Sequence, residues 1–343
     1  MSQIDRNAYL EYALKLTPSE LAKRARFAEW LPETIIDCHA HCNLEEHFLS
    51  MGTRTEAHML STFPYFSLQE SVALQQLLYP GKKVQMLRFP KTFKGIDHRA
   101  VNEYLLSQSS PVDRVAVFGL PEDIPYTLKM LAHPRASALK MYYSYLEPPA
   151  TKIYEYFVPE ALEEAQARNI PIILHTPRIV TTCKEDVLSV VRDFPRLRIV
   201  LAHLGLPMHV VPGLKETYEE LATASENVFM DTSLNASAEV IALALSVFGS
   251  ERIMYGSDEP LNLVRAQVYV NPERGQRLIT SYPYHWVDKD EHEKYKEFAA
   301  GATLLHWQSL EGLYTAITNM ATAEQELAKS RIFYQNARDL FGF

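Results

Sequence analysis

The sequence predicts an α/β chain that folds as a closed (β/α)8 (TIM) barrel, with a helical extension before strand 1 and long loops after strands 1 and 8. Short runs rich in Val and Ile alternate with segments of helical periodicity, which is typical of repeated βα units. Eight such runs occur, and eight strands buried on both faces favour a closed parallel barrel. A doubly wound open sheet is disfavoured because the sequence has no GxGxxG turn and no P-loop.

The elements follow one another in the order that a barrel requires. A helical pattern over residues 21–30 precedes the first strand. The predicted strands span residues 34–37, 83–87, 114–118, 136–141, 171–175, 198–203, 228–231 and 252–257. Apolar residues recur at every third or fourth position in 154–168, 184–194, 214–224 and 236–248. We expect those four stretches to be crossover helices.

Two segments are longer than a barrel needs, residues 44–80 and residues 261–310. Both follow the C-terminal end of a strand, where barrel loops form the rim of an active site. We therefore expect both to shape and cover a pocket, and Tyr282, Tyr284 and Trp286 suit a pocket wall. The alternative is that these segments are extra helices packed outside the barrel.

Composition narrows the class of protein. With 343 residues and 47% hydrophobic content, the chain can bury a large core as one domain, although two smaller domains also fit the length. We interpret residues 1–343 as a single barrel domain, with 1–33 as the N-terminal helical extension and 261–310 as a rim insertion. A net charge of -8 provides no basic surface for nucleic acid or an anionic membrane, which favours a small-molecule substrate.

Residues 1–16 mix charged and apolar side chains and lack the unbroken apolar stretch of a signal peptide or transmembrane helix. We therefore expect a cytoplasmic protein. Cys38, Cys42 and Cys183 are too few for a disulfide framework and form no CxxC pair. They are expected to be reduced thiols.

Histidines and one aspartate occupy the predicted C-terminal ends of several strands. His39 and His41 are two positions apart on strand 1, a spacing that points both imidazoles to the same face. His175, His203 and Asp258 follow the apolar runs of strands 5, 6 and 8. Any one of them alone is readily explained as a hydrogen-bonded structural residue, but packing would favour Val, Leu or Ile at so many strand ends. Imidazole and carboxylate together suit zinc or a similar divalent ion.

These residues also carry a resemblance to a known family. The HxH of strand 1, the Ile-Leu-His-Thr of strand 5, the His-Leu-Gly of strand 6 and the Gly-Ser-Asp of strand 8 occur in the order seen in the amidohydrolase superfamily. The chain resembles the amidohydrolase-related branch that includes aminocarboxymuconate semialdehyde decarboxylase. The resemblance extends from residue 34 to the C-terminus, through 139–141, 229–233 and 336–341. Glu259 and Leu206 depart from the family pattern, which leaves the specificity of the pocket open.

The resemblance implies a site with one divalent metal ion, with zinc expected first and manganese or iron as alternatives. His39, His41, His175 and Asp258 are the implied ligands, and His203 is implied to hydrogen-bond a metal-bound water or the substrate. A divalent ion lowers the pKa of bound water from about 15.7 to about 7, and Asp258 could take up the proton that is released. His203 could then stabilise developing charge or protonate a leaving group.

Three cationic residues are candidate substrate contacts. Lys140 on strand 4 could pair with a substrate carboxylate or support Asp258; a carboxylated lysine bridging two metals and a snorkelling lysine are the alternatives. Arg178 and Arg88 lie where a loop arginine could bind a carboxylate with two hydrogen bonds, and surface arginines are the alternative for both.

Three functions remain open at this point. The first is hydrolysis of a small lactone, ester or amide of an organic acid by water activated on the metal. The second is nonoxidative decarboxylation of an aromatic or unsaturated carboxylic acid, since the branch contains both activities. The third is a metal-binding barrel without catalytic activity. A small carboxylate-bearing substrate is expected in the first two cases, and the family often forms homodimers.

Overall fold

The computed structural model describes residues 5–50, 59–271, 273 and 275–343, and its central feature is an eight-stranded parallel sheet in the order β1 to β8. The strands are β1 (Thr34–His41), β2 (Lys83–Phe89), β3 (Arg114–Phe118), β4 (Ala136–Met141), β5 (Ile172–Leu174), β6 (Ile199–Leu201), β7 (Val228–Asp231) and β8 (Ile253–Met254). Each strand pairs with the next along the chain, as predicted. The predicted (β/α)8 barrel is confirmed.

Backbone hydrogen bonds join the first strand to the segment that follows the last. The Cys38 N–H donates to the Tyr255 carbonyl at 3.0 Å, the Asp258 N–H donates to the His39 carbonyl at 2.9 Å, and the His41 N–H donates to the Glu259 carbonyl at 2.7 Å. These contacts close the barrel. Because they involve β1 and the residues after β8, they also bring His39, His41 and Asp258 to the same edge.

Helices surround the barrel, and the predicted ones are present; the helix at 214–224 has the predicted bounds and the others have shifted ends. The helices are α1 (Arg6–Leu14), α2 (Pro18–Trp30), α3 (Leu68–Leu78), α4 (His98–Gln108), α5 (Ile124–Leu131), α6 (Pro159–Ala167), α7 (Val180–Asp193), α8 (Leu214–Ala224), α9 (Ala238–Phe248), α10 (Lys289–Tyr295), α11 (Leu305–Thr318), α12 (Thr322–Ser330) and α13 (Asn336–Phe341). Helix α6 starts later than predicted because Pro159 occupies its first turn. No helix in the described ranges has the length and apolar character to cross a membrane.

Three predicted strands are shorter in the structure, and a change of backbone conformation explains the end of one of them, β6. The prediction extended β6 to residue 203 and β8 to residue 257. In the structure His203 has φ 56° and Leu204 has φ 55°, while Asp258 has φ 59°. A left-handed backbone cannot continue a parallel ladder, so the chain turns there. Both functional side chains therefore sit on the turns that follow the strands.

The segment 261–310 contains an antiparallel sheet that the sequence analysis did not predict. Strand β9 (Arg265–Asn271) pairs with β10 (Gly275–Thr280) on one side and with β11 (Thr303–Leu304) on the other. Part of the other long segment, residues 51–58, lies outside the described residues. Its remainder forms two short 3-10 turns, Glu45–His47 and Met59–Thr62, and helix α3.

A buried ion pair attaches β9 to the N-terminal extension. The Arg265 guanidinium donates to both carboxylate oxygens of Glu20, at 2.9 and 2.8 Å, and the two side chains are 2% and 0% exposed. Glu20 also accepts the backbone N–H groups of Thr17, at the start of α2, and Leu304, on β11. The extension and the sheet of 261–310 are thus joined through one carboxylate.

Replacing Arg265 with Met is expected to lower the free energy of unfolding by about 3–5 kcal/mol, because it leaves the Glu20 carboxylate buried without a counter-charge. Urea-induced unfolding measures the loss. Lys83→Met is the matched control, because it breaks an ion pair with Glu33 whose side chains are 74% and 77% exposed. Equal unfolding midpoints for the two variants would contradict the assigned role of the buried pair.

Candidate metal centre

Two imidazoles point into the barrel mouth from the end of β1. His39 and His41 are 1% and 4% exposed, and both pack edge-on against the ring of Phe89 on β2, with centroids 4.8 and 4.5 Å away. Alternation along the strand places both on one face, as the sequence predicted. Neighbouring Ala40 and Cys38 are fully buried. The packing fixes the orientation of both rings.

Asp258 approaches the same two imidazoles from the turn after β8. Its Oδ1 lies 3.1 Å from His41 Nε2 and 3.6 Å from His39 Nε2, and its Oδ2 lies 3.9 Å from His203 Nε2. The close approach of the two chain segments depends on Gly256, where an added Cβ would lie 2.8 Å from the Cβ of His39. A glycine is therefore needed two residues before the aspartate.

The hydrogen bonds of the histidines determine which ring nitrogens carry protons. The Nδ1 of His39 lies 2.9 Å from Asp231 Oδ2, that of His41 lies 2.9 Å from the Pro90 carbonyl, and that of His175 lies 2.9 Å from the Thr176 carbonyl. Those oxygens are acceptors only, so each Nδ1 must carry the proton. Each Nε2 then presents a lone pair.

This proton arrangement fits a bound cation. The Nε2 lone pairs of His39 and His41 face Asp258 Oδ1, a buried oxygen with no hydrogen-bond donor among the described residues. Two lone pairs and a carboxylate oxygen in contact repel one another unless a positive ion lies between them. The candidate ligand atoms of these three residues lie within 4.8 Å of one another. Nitrogen and carboxylate donors of this kind suit a divalent ion such as zinc.

Burial favours the neutral form of three of the imidazoles, which is the form that binds a metal ion. Burial lowers the pKa of His41 to about 4, and it holds the pKa of His175 well below its usual range. Burial likewise lowers the pKa of His203.

His175 and His203 lie on the wall of the same cavity. Their ring centroids are 5.1 Å apart, and the His203 centroid is 4.9 Å from that of His39. The cavity has a volume of about 280 Å³. The four predicted metal ligands and the predicted acid–base residue all line it: His39, His41, His175, Asp258 and His203. The structure thus brings the four predicted ligands and His203 together.

Lys140 also faces this cavity. It is 1% exposed on β4, and its Nζ lies 5.4 Å from the centroid of Phe89 and 5.6 Å from that of Tyr142. Burial lowers the pKa of Lys140 to about 8. Within the described residues, the only group of three or more histidine, cysteine or acidic side chains arranged to hold an ion is His39, His41 and Asp258. Lys140 therefore lines the cavity beside the candidate metal ligands.

The structure does not bring the two predicted arginines to the cavity. The Arg88 side chain is buried elsewhere, where it donates to Asp113 Oδ2 and Ser71 Oγ, both at 2.7 Å. Arg178 is exposed in a separate surface depression beside Thr151 and Lys152. Arg88 was expected just beyond strand 2, but β2 continues through Phe89 and turns its side chain away from the cavity. We therefore correct the expectation that either arginine binds substrate.

Residues of both long segments contact the described cavity. Met59, Leu60 and Leu261 line the cavity. Trp286 Nε1 donates to Thr62 Oγ1 at 2.7 Å and joins the two segments. Tyr282, Tyr284 and Trp286 do not line the described cavity. The rings of Tyr282 and Tyr284 pack against Tyr9 of α1, with centroids 5.3 and 5.4 Å away, and Trp286 stacks on Tyr284. The expectation that these three residues form the pocket wall is therefore wrong.

Sequence reasoning gave no role to several residues of this site. Asp231 and Ser233, at the end of β7, contact the rings of His39 and His203. Tyr142 and Tyr143, just after β4, flank His175, with ring centroids 4.8 and 5.5 Å from its own. The position of Asp231 and Ser233 was a signal that the sequence offered. Both lie at the C-terminal end of a predicted strand, as the predicted metal ligands do.

An eight-stranded parallel barrel with histidines and an aspartate at the C-terminal ends of its strands defines the class of metal-dependent barrel enzymes. A family model described as Amidohydrolase matches residues 36–343, so the chain belongs to the amidohydrolase family. Proteins of this family and fold are metal-dependent hydrolases or decarboxylases, and the protein is an enzyme. In the comparison with curated proteins, no sequence matches the chain.

Solved structures with this fold include both activities. A Pseudomonas putida protein with a proposed 2-pyrone-4,6-dicarboxylic acid hydrolase activity is 20% identical, with a TM-score of 0.56 and coverage of 91% of this chain and 98% of that one. A Burkholderia multivorans amidohydrolase with bound zinc is 13% identical, with a TM-score of 0.57 and coverage of 90% and 99%. A Polaromonas dihydroxybenzoic acid decarboxylase with bound manganese and 2-nitroresorcinol is 14% identical, with a TM-score of 0.54 and coverage of 91% and 97%. At these identities the likeness shows the fold.

Proposed function

We propose that this enzyme hydrolyses a small lactone, ester or amide of an organic acid, with one divalent ion, zinc first, held by His39, His41, His175 and Asp258. Such an ion lowers the pKa of a bound water to about 7 and polarises a carbonyl. The single observation that carries the proposal is the orientation of Asp258. One of its carboxylate oxygens faces the two imidazoles of β1, and the other faces His203 at 3.9 Å.

This orientation supports a proton path made of the chain's own residues. Asp258 Oδ2 can accept a proton from the attacking water, and the neighbouring His203 Nε2 can then carry that proton to the leaving group. The His203 ring is held for this role, because its Nδ1 lies 3.0 Å from the Ser233 carbonyl and donates to it. Hydrolysis needs a proton to pass from the attacking water to the leaving group. In this geometry Asp258 can accept that proton and His203 can deliver it.

Lys140 and the apolar rim support a small organic acid as the substrate class. The ammonium can pair with a carboxylate at the base of the cavity, where burial strengthens the attraction. Above it, Met59, Leu60, Leu206 and Met208 offer apolar contact to the remainder of the molecule. A volume of about 280 Å³ suits a small molecule.

The second candidate is nonoxidative decarboxylation of an aromatic or unsaturated carboxylic acid. The observation that favours it is the pair of tyrosines beside His175, since the two rings give a planar substrate an aromatic wall. Here the substrate carboxylate leaves as carbon dioxide, and Asp258 or His203 delivers a proton to the carbon that carried it.

A product assay separates the two reactions. Metal-free protein is prepared with a chelator, reloaded with zinc, manganese or iron, and tested on lactones, esters, amides and aromatic acids. The proposal predicts a new carboxylate from a lactone, ester or amide without carbon dioxide. Carbon dioxide released from aromatic acids, with no hydrolysis, would establish the second candidate. A metal-replete protein that is inert on every compound would contradict both.

His203→Ala is expected to lower kcat by about 10²–10⁴-fold, the usual contribution of one acid–base group, while the metal content stays at the wild-type level. Steady-state kinetics and elemental analysis of the same sample measure the two effects. His209→Ala is the matched control, because it removes an exposed imidazole from the same loop. Loss of metal in the His203 variant would show that this ring is a ligand and not a proton carrier.

A further inference from the structure

Ser233 occupies the junction between a metal ligand and the proton-transfer histidine. It follows β7, is fully buried, and lines the cavity. Its Oγ lies 2.9 Å from His203 Nδ1 and 3.2 Å from His39 Nδ1, and it also hydrogen-bonds Asp231 Oδ1. One hydroxyl therefore touches both imidazoles and the carboxylate that supports them.

A count of protons fixes the direction of these hydrogen bonds. The ionised Asp231 can only accept hydrogen bonds, so the Ser233 hydroxyl donates its one proton to that carboxylate. Towards the two imidazoles, Oγ can then only accept. Both Nδ1 atoms must accordingly carry a proton, which leaves both Nε2 atoms with lone pairs directed into the cavity.

The remaining hydrogen bonds agree with this assignment. His39 Nδ1 also lies 2.9 Å from Asp231 Oδ2, and His203 Nδ1 lies 3.0 Å from the Ser233 carbonyl. Asp231 Oδ1 further accepts the backbone N–H of His203 at 2.9 Å and that of Ser233 at 3.1 Å. The left-handed turn at His203 is thus fixed to the same carboxylate that orients His39.

We infer that Ser233 is a positioning residue that, together with Asp231, holds His39 and His203 in the same tautomer and so couples the metal ligand to the proton-transfer group. This inference rests on the proposed role of His203. The hydroxyl acts through the two rings. Outer hydrogen-bond partners of this kind typically contribute about 10–100-fold to activity or metal affinity.

Ser233→Ala and Ser233→Thr, with Thr232→Val as the matched control, test this role. Thr232 is the adjacent buried residue, and within the described chain its hydroxyl has no hydrogen-bond partner, so Val removes a hydroxyl at nearly constant shape. Ser233→Ala is expected to lower kcat about 10–100-fold with KM and zinc content unchanged. Thr232→Val is expected to match the wild type, and Ser233→Thr is expected to restore activity.

The tautomers are measured directly by nitrogen NMR of the zinc-loaded protein with labelled histidine. The inference predicts that Nδ1 of His203 is protonated and Nε2 is not in the wild type. In Ser233→Ala the Ser233 carbonyl still accepts from Nδ1 but the hydroxyl is lost, so the fraction of the other tautomer is expected to rise measurably. This readout needs no substrate, so it stands even if hydrolysis is the wrong reaction. A proton on Nε2 of His203 in the wild type would overturn the inference. A raised KM with normal kcat in Ser233→Ala would also overturn it, because the hydroxyl would then contact substrate.

Discussion

Asp258→Asn is expected to lower kcat by about 10²–10⁴-fold, because the amide can neither take up the proton of an attacking water nor supply the negative charge next to the ion. Asparagine preserves the shape of the side chain, so the turn after β8 is retained. The rate is expressed per bound metal ion at saturating metal, which separates loss of turnover from loss of binding.

Asp339→Asn is the control for this prediction, because it removes an exposed carboxylate from α13. Its kcat is expected to equal that of the wild type. A rate per bound ion in Asp258→Asn that reaches the wild-type value would contradict the assignment of Asp258 as the proton acceptor, and the base would then have to be sought elsewhere in the cavity.

His175→Ala is expected to lower metal content and activity together. Its Nδ1 is committed to the Thr176 carbonyl, so the free Nε2 is available to the ion. Loss of a direct ligand should weaken metal binding by more than the about 10–100-fold that is typical of losing an outer partner. Elemental analysis after dialysis, followed by titration of activity with added zinc, measures both effects.

The same measurements on His203→Ala distinguish a metal ligand from a proton-transfer residue. Both rings line the same cavity, but only His175 is proposed as a ligand, so excess zinc should partly restore His175→Ala and leave His203→Ala unchanged. Full occupancy in His175→Ala after dialysis would remove His175 from the ligand set.

Much of the fold was predictable because the burial of each element determines where apolar residues occur along the sequence. Strands buried on both faces are apolar throughout, and the alternation with amphipathic helices predicted the barrel and all eight strands. The histidines at the strand ends were predictable for the same reason, since a polar side chain is conspicuous after an apolar run. The left-handed turns at His203 and Asp258 were not predictable, because aspartate and histidine adopt this conformation more often than most residues other than glycine, yet only at a small minority of positions.

The side-chain partners could not be read from the sequence. Nothing in the chain order indicates that Asp231 supports His39, 192 positions away, or that Arg88 is committed to Asp113. Asp113 precedes β3, which lies next to the β2 strand of Arg88, whereas Asp231 and His39 belong to strands separated by β8. Both pairings therefore depend on the tertiary structure. Glu20 and Arg265, 245 positions apart, are a further example, since their pairing depends on where the rim insertion packs on the N-terminal helices.

Anomalous diffraction from crystals of the metal-loaded protein, collected at the absorption edge of the bound ion, tests the central claim most directly. We expect one peak at the mouth of the barrel, with the Nε2 atoms of His39, His41 and His175 and a carboxylate oxygen of Asp258 at about 2.0–2.2 Å. A stoichiometric ion bound at other residues, or the absence of any peak between these side chains in protein loaded with excess metal, would contradict the account.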